Sequence, residues 1–461
     1  MEGLEVSEVM LSELERTKRI DSEFYKKENL QIIAFIKEKG CNNLVDLVSI
    51  SDGNHMSISD KFSETGIPYY RGQDIHSFFI ENAHPVYIDE KTFNQPALKR
   101  SHLQKDDLLL SIVGTIGKVS LVYSKNKSTC SCKLAILRSK GVFSSELLAI
   151  FLSSKYGQNQ ILKFIRGAVQ MGLILEDMNQ LFVPAFHNDF DKIIKDKIKL
   201  AYSKHEQSQT LYRQAEELLI ETLKLKDFQP SQEGINIKSL KNSLFTTGRL
   251  DAEYYQPKYE EIINTIKSQN HDTLGNLVNI KKSIEPGSDV YSDEGIPFLR
   301  VSDFNKMSFS EAEKKLSLSF CKENKSLIDN LKPRKNTILF SKDGSVGTAF
   351  LVRKDENFIT SGAILHLSVK DTNCVNPDYL TLVLNSELVQ KQAERDAGGS
   401  IILHWRKEEI ENVVVPIVSK EIQEQIAALV SESFALRGES EKLLEEAKGM
   451  VEREIEKGGV V

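Results

Sequence analysis

Two short stretches of this 461-residue chain set glycines three apart beside hydroxyls and an ammonium group: VGTIGKVS at 113–120 and KDGSVGTA at 342–349. Glycines there let backbone N–H groups come close to a phosphate, while Thr115 and Lys118, or Ser345 and Lys342, add side-chain donors. The same spacing suits a tight turn between two strands, and the two readings are compatible. Upstream of each loop, GIPYYRGQ and GIPFLRVS put Arg71 and Gln73, and Arg300 and Ser302, just past a Gly-Ile-Pro strand. Their donors fit guanine, adenine or phosphate; for Arg71 and Arg300 the competing role is a structural ion pair. Downstream, Arg166 and Gln170, and Arg395, His404 and Arg406, stand in Gly-containing segments able to enter a groove. These residues offer chemistry for holding a polyanion and touching base edges.

Patterns for bond-making chemistry are missing. Neither glycine loop has the Gly-x4-Gly-Lys-[Ser/Thr] spacing that wraps a nucleotide. NPDY at 376–379 resembles the Asn-Pro-Pro-Tyr loop of adenine methyltransferases, but Asp378 replaces the second proline and no glycine-rich cofactor fingerprint precedes it. A helix start is the better reading, with Asn376 as cap and Pro377 in the first turn. DEK at 89–91 lacks the upstream aspartate that would complete a nuclease set. The nine histidines are scattered, and the five cysteines form no pair of CxxC motifs, so neither a zinc site nor a disulfide framework is expected. Cys130 and Cys132 read as thiols in or beside a strand. No catalytic residue, metal or cofactor is assigned; a rival reading keeps the DEK or NPDY residues as part of a nuclease or methyltransferase.

Two copies of one scaffold position the donors. RIDSEFY at 19–25 returns as RLDAEYY at 249–255, and the Gly-Ile-Pro strands and glycine loops recur at nearly the same offset of 230. LILEDMNQLFVP at 173–184 matches HWRKEEIENVVVP at 404–416, at an offset of 232. A period this long means two whole domains, whereas solenoid repeats run about 20 to 50 residues. Within each copy a short helix leads into β-branched and apolar runs broken by Gly, Asn, Asp and Pro, the pattern of a mostly β head. The length and the 40% hydrophobic content suit two or more cores. No window approaches the roughly 20 apolar residues of a bilayer span, so a cytoplasmic protein with no membrane partner is expected.

After each head, apolar residues recur at steps of three and four. They are Phe190, Ile194, Ala201, Leu211, Ala215, Leu218 and Leu225 in one copy, and Ile422, Ile426, Leu429, Leu436, Leu443, Ala447 and Met450 in the other. This is a coiled-coil seam, and the matched phase makes the two helices equivalent elements that can pair antiparallel, the alternative being two amphipathic helices each docked on its own head. The predicted segments are an N-terminal arm at 1–18, heads at 19–188 and 229–419, and spacer helices at 189–228 and 420–461. Charge separates the parts: ten Lys or Arg against two Asp from 91 to 140, but ten acidic residues against five basic from 421 to 457. Basic heads on an acidic rod fit nucleic-acid binding by the heads.

A fused tandem of heads opened by Arg-[Ile/Leu]-Asp-x-Glu-[Phe/Tyr]-Tyr, carrying Gly-Ile-Pro-aromatic-x-Arg and a Gly-x-x-Gly turn, and closed by a proline before a long helix, resembles the specificity subunit of type I restriction-modification systems. The likeness covers roughly residues 15 to 457. It implies an α+β fold of two pseudo-symmetric, mostly β target-recognition domains joined by two long antiparallel coiled-coil helices. It also implies double-stranded DNA as ligand, each head reading half of a bipartite asymmetric site, with two methyltransferase subunits docked on the helices and restriction subunits as further partners. The seam and docking residues are then Leu211, Ala215, Leu218, Leu436, Leu443, Ala447 and Met450. A related type II restriction-methylation assembly would use the same binding chemistry.

Overall fold

The structure, a computed structural model, describes residues 5–75, 77–80, 86–167, 171–226, 228–231, 233–399 and 401–457. Gln170, the first residues of the expected N-terminal arm and the last of the second spacer lie outside these described residues. The chain divides into two compact units, Met1–His205 with Gly438–Val461, and Glu206–Arg437.

Both units are built around a four-stranded antiparallel sheet. In the first its order is Val48–Asp52, Leu134–Ser139, Leu108–Ser111, Val119–Leu121; in the second, Val278–Lys282, Ile364–Val369, Ile338–Ser341, Ala349–Leu351. Even the registers repeat: Leu108 faces Leu121 and Leu137, as Ile338 faces Leu351 and Leu367. Successive strand side chains point to opposite faces, and here both faces are covered. Leu108, Leu110, Ala135 and Leu137 pack with Leu147 and Phe151 of a helix, while Leu109, Leu134 and Ile136 pack with Ile75, Leu103 and Cys130. Two-sided burial explains an unbroken apolar run such as LLL where a half-exposed strand would alternate.

A second sheet, three-stranded in the first unit and four-stranded in the second, supplies the other cover. Ile67–Tyr70 pairs antiparallel with Val86–Ile88 and parallel with Thr129–Cys130; Gly295–Leu299 pairs likewise with Lys314–Ser317 and Ile359–Thr360. Cys130 is fully buried there, and burial pushes its thiol pKa up. A two-stranded ribbon ties the entry of each head to its exit: Cys41–Asn43 against Phe182–Pro184, and His271–Thr273 against Val414–Pro416.

The doubtful motifs resolve as helix caps. Asn376 accepts from Asp378 N at 2.8 Å, with Pro377 opening the helix Pro377–Asn385. Asp89 accepts from Thr92 N at 2.6 Å at the start of Glu90–Phe93. Among the described residues no group of three or more His, Cys, Asp or Glu could hold a metal, and no helix is long and apolar enough to cross a membrane.

The paired RIDSEFY and RLDAEYY motifs build the same knot twice. Arg19 forks onto Asp21 at 2.7 and 2.5 Å, Tyr25 donates its hydroxyl to Arg19 O at 3.2 Å, and the guanidinium lies 4.7 Å from the Phe24 ring centre. Arg249 forks onto Asp251 at 2.9 and 2.7 Å, Tyr255 donates to Arg249 O at 3.1 Å, and Tyr254 takes the cation. The arginine holds each aspartate below the usual carboxylate range. Asp21 makes no side-chain cap on the short helix that follows it; in each copy the arginine guanidinium, a charged partner, takes the carboxylate. Phe24 packs edge-on against Phe164, at 5.3 Å between centres.

Two long helices follow the heads, Asn188–Thr222 and Lys420–Lys457, and the division between units falls inside both. Within the first unit Lys197 pairs with Glu446 at 2.8 Å and Lys204 with Glu439 at 2.5 Å. Within the second, Ser433 Oγ donates to Ser208 O at 2.7 Å, and Tyr212 meets Phe434. In the first unit numbers rise along one helix as they fall along the other, so the pair is antiparallel there. The buried line keeps heptad steps: Ile194, Ile198, Ala201 and His205, then Ser208, Tyr212, Ala215 and Leu219. Opposite run Gln423, Ile426, Val430, Ser433 and Arg437, then Ser440, Ala447 and Val451. Ala215 and Ala447 lie on this line, whereas Leu211, Leu218, Leu436, Leu443 and Met450 are half-buried beside it. Apolar periodicity picks those flanking leucines because the middle of the buried line is polar.

Candidate nucleic-acid interface

Each glycine loop joins two sheet strands as a hairpin. Gly114 and Gly117 have φ of 83° and 91°, and Gly344 and Gly347 of 72° and 85°, a region where other residues are strained. Ser111 Oγ donates to Thr115 O and accepts from Lys118 N; Ser341 Oγ does the same with Ser345 O and Thr348 N. From a neighbouring helix Gln158 Nε2 donates to Gly117 O at 2.9 Å, and Gln390 Nε2 to Gly347 O at 2.7 Å. A Cβ on Gly117 would lie 2.8 Å from Gln158 Oε1. Gly117→Ala is therefore expected to cost about 1–3 kcal/mol by left-handed strain and displacement of that brace, read as a lower denaturation midpoint.

A second loop leans on each hairpin. Val113 bridges Gly172, which bridges Arg166; Asp343 bridges His404, which bridges Gly398. In the second head Asp343 lies between Lys342, to which it pairs, and His404 Nδ1 at 2.8 Å, with Trp405 buried behind. Arg166 is held by Asp177 at 2.6 Å and Arg406 by Glu409. Arg395 pairs with Asp396 at 2.6 Å and stacks on Tyr254 of the entrance knot, as Lys163 does on Phe24.

Arg71 makes a reciprocal cap. Asp74, almost fully buried, accepts from Arg71 N at 2.7 Å, from Nε at 3.0 Å and from the guanidinium again at 3.1 Å. Arg300 N donates to Asp303 at 2.8 Å, and its guanidinium reaches Glu313 at 2.9 Å, while Ser302 Oγ donates to Asp303. Both arginines are ion-paired and both stay part-exposed, at 28% and 38%, so one edge faces solvent. Gln73, Thr115, Lys118 and Ser345 are exposed.

In the first head a cleft of about 660 Å³ gathers Arg71, Gln73 and Thr115 with His55, Met56 and Lys133. Sequence reasoning misses His55, Met56 and Lys133, because they stand in stretches where the two copies differ. The cleft concentrates hydrogen-bond donors with no carboxylate among its lining residues, suited to phosphate oxygens and acceptor-bearing base edges.

Residues 270–446 match the family model for the type I restriction modification DNA specificity domain. The chain is 26% identical over 183 residues to the type I restriction enzyme EcoBI specificity subunit of Escherichia coli. That match covers 39% of this chain and 37% of the relative, so the chain spans just over a third of the curated relative it matches. Among solved structures it is similar to the type I restriction-modification S subunit from M. genitalium, with TM-score 0.38 and 13% identity over 91% of this chain and 95% of that one. It is also similar to the HsdS subunit from Thermoanaerobacter tengcongensis, with TM-score 0.29 and 14% identity over 91% and 95%.

Proposed function

We propose that this chain, related to the specificity subunits of type I restriction-modification systems, is the DNA-recognition subunit of such a complex. Each head, 19–188 and 229–419, reads one half of a bipartite, asymmetric double-stranded site. The paired helices set the spacing and dock two methyltransferase subunits, with restriction subunits as further partners in the cytoplasm. The chain itself is non-catalytic; methyl transfer and cleavage belong to those partners. The observation that carries the reading is a duplicated, donor-bearing head whose second copy holds the family's DNA specificity domain.

Selection of preferred duplexes from a random pool, using the chain with whatever subunits co-purify, tests it. Two unlike half-sites separated by unread base pairs are expected; a continuous motif or two identical inverted halves would overturn it. Lys118→Ala, at an exposed hairpin position, should weaken binding to all sequences alike and lower the salt slope by about 1. An unchanged slope would remove Lys118 from the phosphate contacts.

A further inference from the structure

We infer that the two heads read opposite sides of the base-pair code, with Lys133 in the first and Glu285 in the second as the deciding residues. The inference rests on the DNA recognition proposed above and says which chemistry each half-site must carry.

In the first head Lys133 stands beside the Arg71 turn. Ile112 N donates to Lys133 O at 3.0 Å, and a Cβ built on Gly72 would lie 3.5 Å from the lysine's own Cβ. Its side chain is exposed at the cleft with Gln73, His55 and Thr115. An ammonium has three donors and no acceptor. It bonds the O6 and N7 acceptors of guanine and finds no partner on the amino group of cytosine.

The second head keeps the frame and reverses the chemistry. Lys342 N donates to Ala363 O at 2.9 Å, so Ala363 stands where Lys133 does and ends in a methyl group. The parallel bridges Asn54 to Ser131 and Ile284 to Ser361 mark the matching segments, which puts Glu285 in the place of His55 and Gly362 in the place of Cys132. A Cβ on Gly362 would lie 2.9 Å from both Glu285 Cγ and Oε1. The glycine thus makes room for the glutamate to lie across the strand end, where the first head has a thiol. An ionised carboxylate only accepts: it takes a hydrogen bond from an exocyclic amino group, cytosine N4 or adenine N6, and repels guanine O6.

The half-site under the first head should therefore hold a required guanine, and that under the second a base presenting an amino group. The duplex selection, repeated with variants, decides. Lys133→Ala should reduce the preference for one guanine in one half-site by on the order of tenfold, and Lys133→Glu should turn that preference toward cytosine. Glu285→Gln and Gly362→Ala should each relax one position in the other half-site only. Both charged residues are exposed, so melting is expected to be unchanged; if Lys133→Ala melts early, Lys133→Met, which keeps the stem, is read in its place. A wild-type bipartite site that every variant reproduces overturns this assignment while leaving DNA recognition standing. A wild-type protein that enriches no sequence overturns the recognition reading itself, and this inference with it.

Discussion

Arg138→Ser should destabilise the first head by about 3 kcal/mol, because it strands a buried carboxylate without its partner charge. Asp107 is fully buried at the start of its strand and accepts from Arg138 Nε at 2.7 Å and from a terminal guanidinium nitrogen at 2.8 Å. Its remaining bond, from Gln104 N at 2.8 Å, offsets little of a lost ion pair. The second head holds Thr337 and Ser368 at the two equivalent positions, a neutral pair on the same strands. The double variant Asp107→Thr with Arg138→Ser should consequently recover to within about 1 kcal/mol of the parent, since removing both partners leaves no charge buried. Denaturant titration followed by hydrogen exchange at 108–111 measures both. A single variant as stable as the parent would show that the ion pair contributes nothing to the first head.

Lowering the pH from 7 to 5 should weaken the second head by about 2 kcal/mol through His366 alone. Burial, helped by Lys281, lowers its pKa to about 4 from the ordinary 6.5, and Nε2 sits 2.8 Å from Thr360 Oγ1. The imidazole is neutral in the fold, while the unfolded chain takes up the proton first. Its contribution is complete above pH 6.5 and is lost as pH falls toward 4. The first head has Ile136 and Cys130 in these places, packed in one apolar cluster, and serves as the internal control. Trp405, the single tryptophan, is buried in the second unit, so its fluorescence reports that head. His366→Ile combined with Thr360→Cys should flatten its pH dependence between 7 and 5; a slope surviving that change would assign the titration elsewhere.

Duplication, turn glycines and helix caps were legible because each leaves its mark within a few residues or at one constant offset. Asn376-Pro377 announces a helix start wherever it occurs, and Gly114 and Gly117 announce a turn. Partner choice was not legible. The carboxylate of Asp21 goes to the Arg19 guanidinium two residues away and gives the short helix after it no side-chain cap, a choice no turn or cap signal announces. The ion pairs of Arg71 and Arg300 stood open until the turn brought Asp74 and Asp303 under them. On the long helices, Ser208, Ser433, Arg437 and Ser440 are buried but carry no hydrophobic signal, so a search for apolar spacing slides onto the leucines alongside. His55 and Lys133 escaped for another reason. Comparison of the copies finds what they share, and these cleft residues stand where the copies differ.

The ribbons that close each head have an evolutionary consequence. Cys41 lies opposite Pro184 and His271 opposite Pro416, so the chain enters and leaves a head at neighbouring points, the geometry that tolerates domain insertion. Everything between them is, in effect, a cartridge. A genetic crossover at the two ribbon strands would exchange the whole head and leave the seam residues of the helices unaltered. If the heads read DNA as proposed, new specificities arise by trading intact cartridges between related genes, without the stepwise loss of function that altering one contact at a time would impose.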